Sequence, residues 1–263
     1  MLRCPVCHTD LKQIEQRFEC MNHHSFDIAK NGSVYLSKTH SLKERGDNKL
    51  QIEARHQFLQ KDHYKLFKDS LVEVLSEYPH TNILDIGCGE GYYTQAMAEA
   101  FENDTIYGLD LSKEAIHFAS KSKNDIQYMI SNSHDLPFVD KRVDVITALF
   151  TPLYLEEIIR VLKPTGYLIT VQAGNKHLLE MKERLYDKVI LNDEKAVQDI
   201  KLTRIKTLRL SQRLYLDKES KNQLLMMTPY YYTSPQDKVQ AFLDEEKCDL
   251  TISAVINVYQ RKP

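Results

Sequence analysis

A chain of 263 residues with 42% hydrophobic and 27% charged side chains is long enough for one large domain or two unequal ones. No apolar run approaches the ~18 residues of a membrane span, and the first ten residues, MLRCPVCHTD, lack the apolar stretch of a secretory signal, so a cytoplasmic, non-membrane protein is expected. The net charge of −2 hides an asymmetry: residues 1–68 carry 12 Lys/Arg against 8 Asp/Glu, and residues 69–263 carry 23 against 29, a basic front on an acidic body that points toward nucleic acid.

The front of the chain holds Cys4-Pro-Val-Cys7 and Cys20-Met-Asn-His-His24, a C-x2-C-x12-C-x3-H spacing. Two ligand pairs about a dozen residues apart match a structural zinc site of Cys3His type, with Cys4, Cys7, Cys20 and His24 as ligands. His23 beside His24, and His8 beside Cys7, leave the fourth ligand open. The other reading is two unrelated cysteine pairs in a reduced loop, and five cysteines in all suit a reducing cytosol. A metal would replace the core that about 35 residues cannot build. Short alternating segments follow over 25–36 around a turn at Asn31-Gly32. Residues 37–49 are charged and poor in apolar side chains and read as a mobile linker. A helical pattern then runs from Leu50, with Phe67, Leu71, Val74 and Leu75 on one face, and stops at Pro79.

Residues 82–94, NILDIGCGEGYYT, organise what comes next. Ile83, Leu84 and Ile86 form an apolar strand, and Gly87, Gly89 and Gly91 follow at alternate positions before a helix over 93–101. Glycines there allow positive φ and let the backbone press on a ligand at a helix N-terminus. Residues 105–110 read as the next strand, ending in Asp110, 25 positions after Asp85, where an acid can accept both ribose hydroxyls of a nucleoside. The G-x-G-x-G form with Asp85 before it resembles the first motif of S-adenosylmethionine-dependent methyltransferases of the Rossmann-like class. The bland reading of the loop is an ordinary tight turn.

A second crossover helix is expected over 113–122, a third strand over 126–130, a buried parallel strand over 143–149, a helix over 155–162 and a fifth strand over 167–171. Asn132 stands four residues before Leu136-Pro-Phe138, where methyltransferases of this class often carry an acid that meets the adenine amino group; its amide oxygen can still accept that hydrogen bond. Residues 177–185 are helical, 186–221 are polar, and 201–221 carry seven basic residues against two acids, read as a solvated face with a phosphate-contacting edge as its competitor. Residues 250–259 alternate Ile252, Ala254, Ile256 and Val258 and suit a last antiparallel strand. The expected fold is α/β: a doubly wound sheet with an antiparallel last strand over 50–263, carrying a substrate-facing insertion at 186–233, behind a 1–36 zinc module and the 37–49 linker.

Taken together, the chain resembles the RlmA-type 23S ribosomal RNA guanine-N1 methyltransferases over nearly its whole length. The carriers are the Cys4/Cys7/Cys20/His24 spacing, Phe26-Asp-Ile-Ala-Lys30, the 84–93 glycine motif, Gly108-Leu-Asp110, Ser133-His134 with Leu136-Pro-Phe138, and Met227-Thr-Pro229. The resemblance implies binding of S-adenosylmethionine and methylation of one guanine in helix 35, a hairpin of 23S domain II near the peptide exit tunnel. It also implies a zinc module that helps hold RNA and, in some members, macrolide resistance. On the resemblance, Tyr64 and His177 match positions that close over the cofactor; with Asp85, Gly87, Cys88, Gly89, Gly91, Tyr92, Tyr93, Asp110, Asn132 and Ser133 they form the expected cofactor set. Phe150-Thr-Pro152 departs from the family's usual Tyr-Ala-Pro.

Guanine N1 carries a proton at neutral pH, so its methylation needs a general base or stabilisation of an O6 anion. His134 and His177 are the candidates, with Asp135 read as a solvated loop residue and His177 equally as a helix cap or cofactor contact. Thr228, Pro229 and Tyr230 are expected to form a slot for the extruded base, against a bland reading as a packed helix end. A homodimer is one open assembly. Two further classes stay in view: a small-molecule methyltransferase of quinone or sterol type, and a zinc-dependent RNA-binding protein without activity.

Overall fold

The computed structural model describes residues 1–38, 48–122 and 125–262, so residues 39–47 of the predicted 37–49 linker lie outside the described residues. The chain opens with β1 (Leu11–Ile14), β2 (Arg17–Cys20) and β3 (Ser25–Asp27), an antiparallel sheet in that order. After a turn in which Gly32 takes φ +83°, β4 (Val34–Tyr35) leaves this small sheet. It pairs in parallel with β7 (Ile126–Ile130) and becomes an edge of the main sheet. The 1–36 module therefore does not end as a free-standing unit. Its last strand finds its hydrogen bonds on the body, and Leu2, Cys4, Leu11 and Phe18 share one apolar core with Leu84, Met129 and Phe138.

Two helices follow, α1 (Lys49–Gln60) and α2 (Lys65–Ser76). The first starts in a capping box, with Asn48 accepting from Gln51 N and the Gln51 side chain accepting from Asn48 N. The main unit then alternates β5 (Asn82–Ile86), α3 (Tyr92–Ala100), β6 (Thr105–Asp110), α4 (Lys113–Ala119), β7, β8 (Val143–Leu149) and α5 (Leu155–Val161). It continues through β9 (Leu162–Ala173), α6 (Leu179–Leu185), β10 (Leu202–Asp217), α7 (Lys218–Met226), α8 (Tyr230–Thr233), α9 (Gln236–Asp244) and β11 (Lys247–Arg261). The eight-stranded order is β10-β11-β9-β8-β5-β6-β7-β4. Pairs from β4 to β9 are parallel, and β11 runs antiparallel between β9 and β10. The chain reverses at β5, between β6 and β8, so the crevice for a ligand opens at that strand's C-terminal end.

Three expectations change here. The fifth strand begins directly after α5 at Leu162, and a register shift between Val143 and Val145 absorbs the extra residues. Residues 186–233 are not one substrate-facing insertion, because 202–217 form β10, the outer strand of the sheet, paired along its length with β11. The basic run is also largely neutralised from within the fold. Lys206 pairs with Glu77, Arg209 with Glu194 at 3.2 Å, Arg213 with Glu180 and Asp249, and Lys218 with Glu246 at 3.1 Å. Lys221 is buried and donates to the carbonyls of Phe242 and Glu245. Cations already paired in this way favour the solvated-face reading of Lys206, Arg209, Arg213 and Lys218 over a phosphate-contacting edge. Among the described residues no helix is long and apolar enough to cross a membrane.

Candidate cofactor pocket and metal centre

At the end of β5 the chain turns through Gly87 (φ +68°), Gly89 (φ +57°) and Gly91 (φ +87°) into α3. The three glycines serve different needs. A Cβ on Gly87 would stand 2.5 Å from Thr151 Oγ1, at the end of β8, and one on Gly91 would stand 2.6 Å from the Tyr128 hydroxyl. A Cβ on Gly89 would meet only Arg55 Nη1, at 3.8 Å, so this backbone is bared toward a cavity. The cavity holds about 720 Å³, within the range of small-molecule sites. Gly91 does not line it; its glycine is required by Tyr128 and by the left-handed entry to α3.

Asp85 lies beneath the loop, fully buried, accepting from Thr94 Oγ1 at 2.6 Å and Thr147 Oγ1 at 2.8 Å. Burial raises its pKa to about 6 in spite of these two bonds. Asp110, at the end of β6, accepts from Gly89 N at 3.0 Å and from Ser112 N at 2.8 Å. Its carboxylate is thus held in place by two backbone N–H groups at the edge of the cavity. Asn132 Oδ1 accepts from His134 N at 2.9 Å, which fixes the turn at the rim of the cavity. Cys88, Tyr92, Tyr93 and Ser133 also line the cavity. The Tyr93 hydroxyl is buried with no hydrogen-bond partner among the described residues. Such an orphan donor costs free energy unless a ligand satisfies it.

Tyr64 and His177 meet on the opposite wall, with Tyr64 Oη 3.3 Å from His177 Nε2. Ser253 N donates to His177 Nδ1 at 3.1 Å, so the neutral ring carries its proton on Nε2 and gives it to Tyr64. The phenolic hydrogen of Tyr64 is then available to a ligand. Burial pushes His177 down to about 4, and with its one lone pair already used it is not a general base. That removes one of the two catalytic candidates. The other, His134, is exposed at the lip, its ring centroid 3.4 Å from that of Tyr154. Asp135, expected to be solvated, pairs instead with Arg3 at 2.6 Å.

The far side of the cavity is closed by Phe150, Thr151, Pro152, Met227, Thr228 and Pro229. Phe150 takes φ +52°, a costly conformation for a residue with a Cβ, and lies nearly parallel to His177 with centroids 6.0 Å apart. Thr228 Oγ1 donates to Leu225 O at 2.7 Å, so toward a ligand it can only accept. Tyr230 does not reach the cavity. It packs edge-on against Tyr186 at 6.1 Å and under Lys182 Nζ at 5.8 Å, the packed-helix-end alternative. One residue absent from the sequence reading is Arg55, which lines the cavity with Gln51 and Leu59 at i, i+4, i+8 on α1. Its signal was a cation on the face that also carries Ile52 and Leu59.

In the N-terminal module Cys4, Cys7, Cys20 and His24 bring their ligand atoms within 4.8 Å of one another. Cys7 Sγ to Cys20 Sγ is 3.6 Å, Cys20 Sγ to His24 Nδ1 is 3.4 Å and Cys4 Sγ to His24 Nδ1 is 3.6 Å. A zinc tetrahedron with Zn–S near 2.3 Å has edges of about 3.8 Å, so the four fit one Zn²⁺. The open question of the fourth ligand is resolved by geometry. His23 is 87% exposed and turned to Glu19, and His8 Nε2 lies 2.7 Å from Lys38 Nζ. Val6 N points at Cys4 Sγ at 3.4 Å, an N–H to sulfur contact that offsets part of the upward push of burial on this thiol.

The fold and the pocket define a class I, S-adenosylmethionine-dependent methyltransferase with a zinc ribbon at its front. A family model described as "Methyltransferase domain" matches residues 77–226, and one described as "RlmA, N-terminal" matches residues 2–37. A Bacillus subtilis (strain 168) protein, "Putative 23S rRNA (guanine-N(1)-)-methyltransferase YxjB", is 28% identical over 97% of this chain and 95% of its own length. A Micromonospora griseorubida protein, "Putative 23S rRNA (guanine-N(1)-)-methyltransferase", is 31% identical over 70% of this chain and 69% of its own. The Streptomyces fradiae "23S rRNA (guanine(748)-N(1))-methyltransferase" is 29% identical over 70% and 67% respectively. The chain belongs to the RlmA-type family of 23S rRNA (guanine-N1)-methyltransferases, and S-adenosylmethionine and zinc are its cofactors.

Proposed function

We propose that this protein methylates N1 of one guanine in 23S ribosomal RNA, in the helix 35 hairpin of domain II. The observation that carries the reading is the RlmA-type ribbon ahead of a methyltransferase domain in one chain, together with relatives over two thirds or more of its length that are named for this reaction.

Bound S-adenosylmethionine supplies an already activated methyl group. In this reading the backbone of Gly87, Cys88 and Gly89 passes beneath it, Asp110 accepts the ribose hydroxyls, and Asn132 and Ser133 meet the adenine. Tyr64, fixed by His177, and Tyr92 and Tyr93 close the remaining wall. The target base enters from the Phe150 side. Pro152 and Pro229 offer apolar faces, and Thr228, with its hydrogen committed to Leu225, accepts from the guanine N–H edge. Proton removal from N1 falls to His134, the candidate at the lip whose ring is exposed.

The test is RNA-dependent incorporation of labelled methyl into unmodified 23S RNA and into an isolated helix 35 hairpin, followed by mass mapping. One 1-methylguanosine in the hairpin is expected. Methyl on another base, or on a quinone and not on RNA, would defeat the reading. His134→Ala is expected to lower turnover while the cofactor Kd stays unchanged.

A further inference from the structure

The helix that roofs the cavity carries a charge over the glycine loop. Gln51, Arg55 and Leu59 form one stripe of α1, and all three line the cavity. Arg55 Nη1 lies 3.8 Å from where a Gly89 Cβ would be, directly over the barest backbone of the loop. Its Nη2 donates to Met227 O at 3.4 Å, which tethers the guanidinium between α1 and the 227–229 segment. The charge is felt deeper in the cavity, where it opposes the upward push of burial on the Tyr64 and Tyr93 phenols.

Among the described residues that line the cavity, Arg55 is the one Lys or Arg, while Asp85, Glu90 and Asp110 are acids. S-adenosylmethionine carries a sulfonium, an ammonium and a carboxylate at its methionine end. The acids and loop carbonyls suit the two cations and the ribose; none of them suits the carboxylate. A planar guanidinium beside a buried phenol with an unsatisfied donor is a matched receptor for a carboxylate.

We infer that Arg55, with the Tyr93 hydroxyl, holds the methionine carboxylate of S-adenosylmethionine, making α1 a cofactor-reading element as well as a roof. The inference rests on assignment of the cavity to that cofactor. A competing role is purely structural: a tether from α1 to Met227.

Titration calorimetry with two probes separates the two roles. S-Adenosylmethionine and its decarboxylated analogue, which keeps the ammonium and the sulfonium, are bound to wild-type protein and to Arg55→Met. A charge-assisted bond to a carboxylate corresponds to a loss of roughly 10- to 100-fold in Kd for S-adenosylmethionine. The analogue, lacking the carboxylate, is expected to bind both proteins within about threefold. Arg55→Lys, which keeps the charge without the fork, is expected to fall between them and covers the case in which Arg55→Met does not fold. Equal losses for both probes, or no loss for either, would overturn the inference in favour of a tether or a bystander. Wild-type protein that binds neither probe would overturn the cofactor assignment itself, and the inference with it.

Discussion

Replacing Arg3 with alanine tests whether the ribbon sets the shape of the cofactor pocket. Arg3 reaches out of the ribbon to Asp135 at 2.6 Å and Glu157 at 3.5 Å, with 11% of its side chain exposed. Its own N–H donates to Pro137 O at 3.0 Å, Val139 N donates to Met1 O at 2.9 Å, and Leu36 N donates to Ile130 O at 2.9 Å. Residues 131–138, whose first four members line the cavity, are thus clamped by the ribbon at both ends. Orphaning a buried charge costs about 3–5 kcal/mol. Here both acids keep another cation: Asp135 has Lys38 at 3.4 Å and Glu157 has Arg160 at 2.7 Å. The loss should therefore be nearer that of one charge-assisted hydrogen bond, about 1–2 kcal/mol. For a chain of this size that is a fall in Tm of about 2–8 °C. If the clamp orders the adenine side of the pocket, part of the same free energy appears in binding, as a roughly three- to tenfold weaker S-adenosylmethionine Kd. Differential scanning calorimetry and cofactor titration on Arg3→Ala measure both. A lower Tm with wild-type cofactor affinity would refute the coupling and leave the ribbon as a separate RNA-side module.

Three other outcomes are expected. Gly89→Val should abolish calorimetric binding of S-adenosylmethionine with a native circular dichroism spectrum, since its Cβ meets nothing closer than Arg55 Nη1 at 3.8 Å and the left-handed φ of +57° costs about 1–3 kcal/mol; unchanged affinity would sink the loop assignment. Protein purified without chelator should contain about one equivalent of zinc, and Cys20→Ser should lose it, checked by metal analysis, along with the near-ultraviolet signal of the ribbon. His177 has its folded pKa depressed from 6.5 to about 4, so the unfolded chain takes up a proton in that window that the folded chain refuses, and stability falls as pH drops from about 6.5 toward 4. Urea unfolding should show His177→Gln losing about 2 kcal/mol less than wild type between about pH 7 and pH 5; parallel losses would place the pH sensitivity elsewhere.

Much of the fold was legible because its signals are local. Alternation, β-branching and apolar runs marked β5 to β8, since a buried parallel strand needs apolar side chains on both faces. The glycine positions and the acid ending β6 follow from backbone geometry that few other residues can adopt. The cysteine and histidine spacing announced a metal, because two ligand pairs about a dozen residues apart match a tetrahedral zinc site. In each case the determinant and its effect lie within a few residues of one another.

What only the tertiary structure decided depends on partners distant in the chain. In the basic run of 201–221, Lys206, Arg209, Arg213 and Lys218 are paired by Glu77, Glu194, Glu180 and Glu246 from elsewhere in the chain. Tyr230 stood beside Thr228 and Pro229 in sequence, yet the short helix α8 turned it toward Tyr186 and away from the cavity. His177 read as a possible base, but a backbone N–H from β11, 76 residues on, occupies its lone pair. Arg55 became a site residue only when α1 was laid across the glycine loop. A side chain's chemistry is written in the sequence; whether its charge, lone pair or ring face is spent on the fold or left for a ligand is settled by what the chain brings against it.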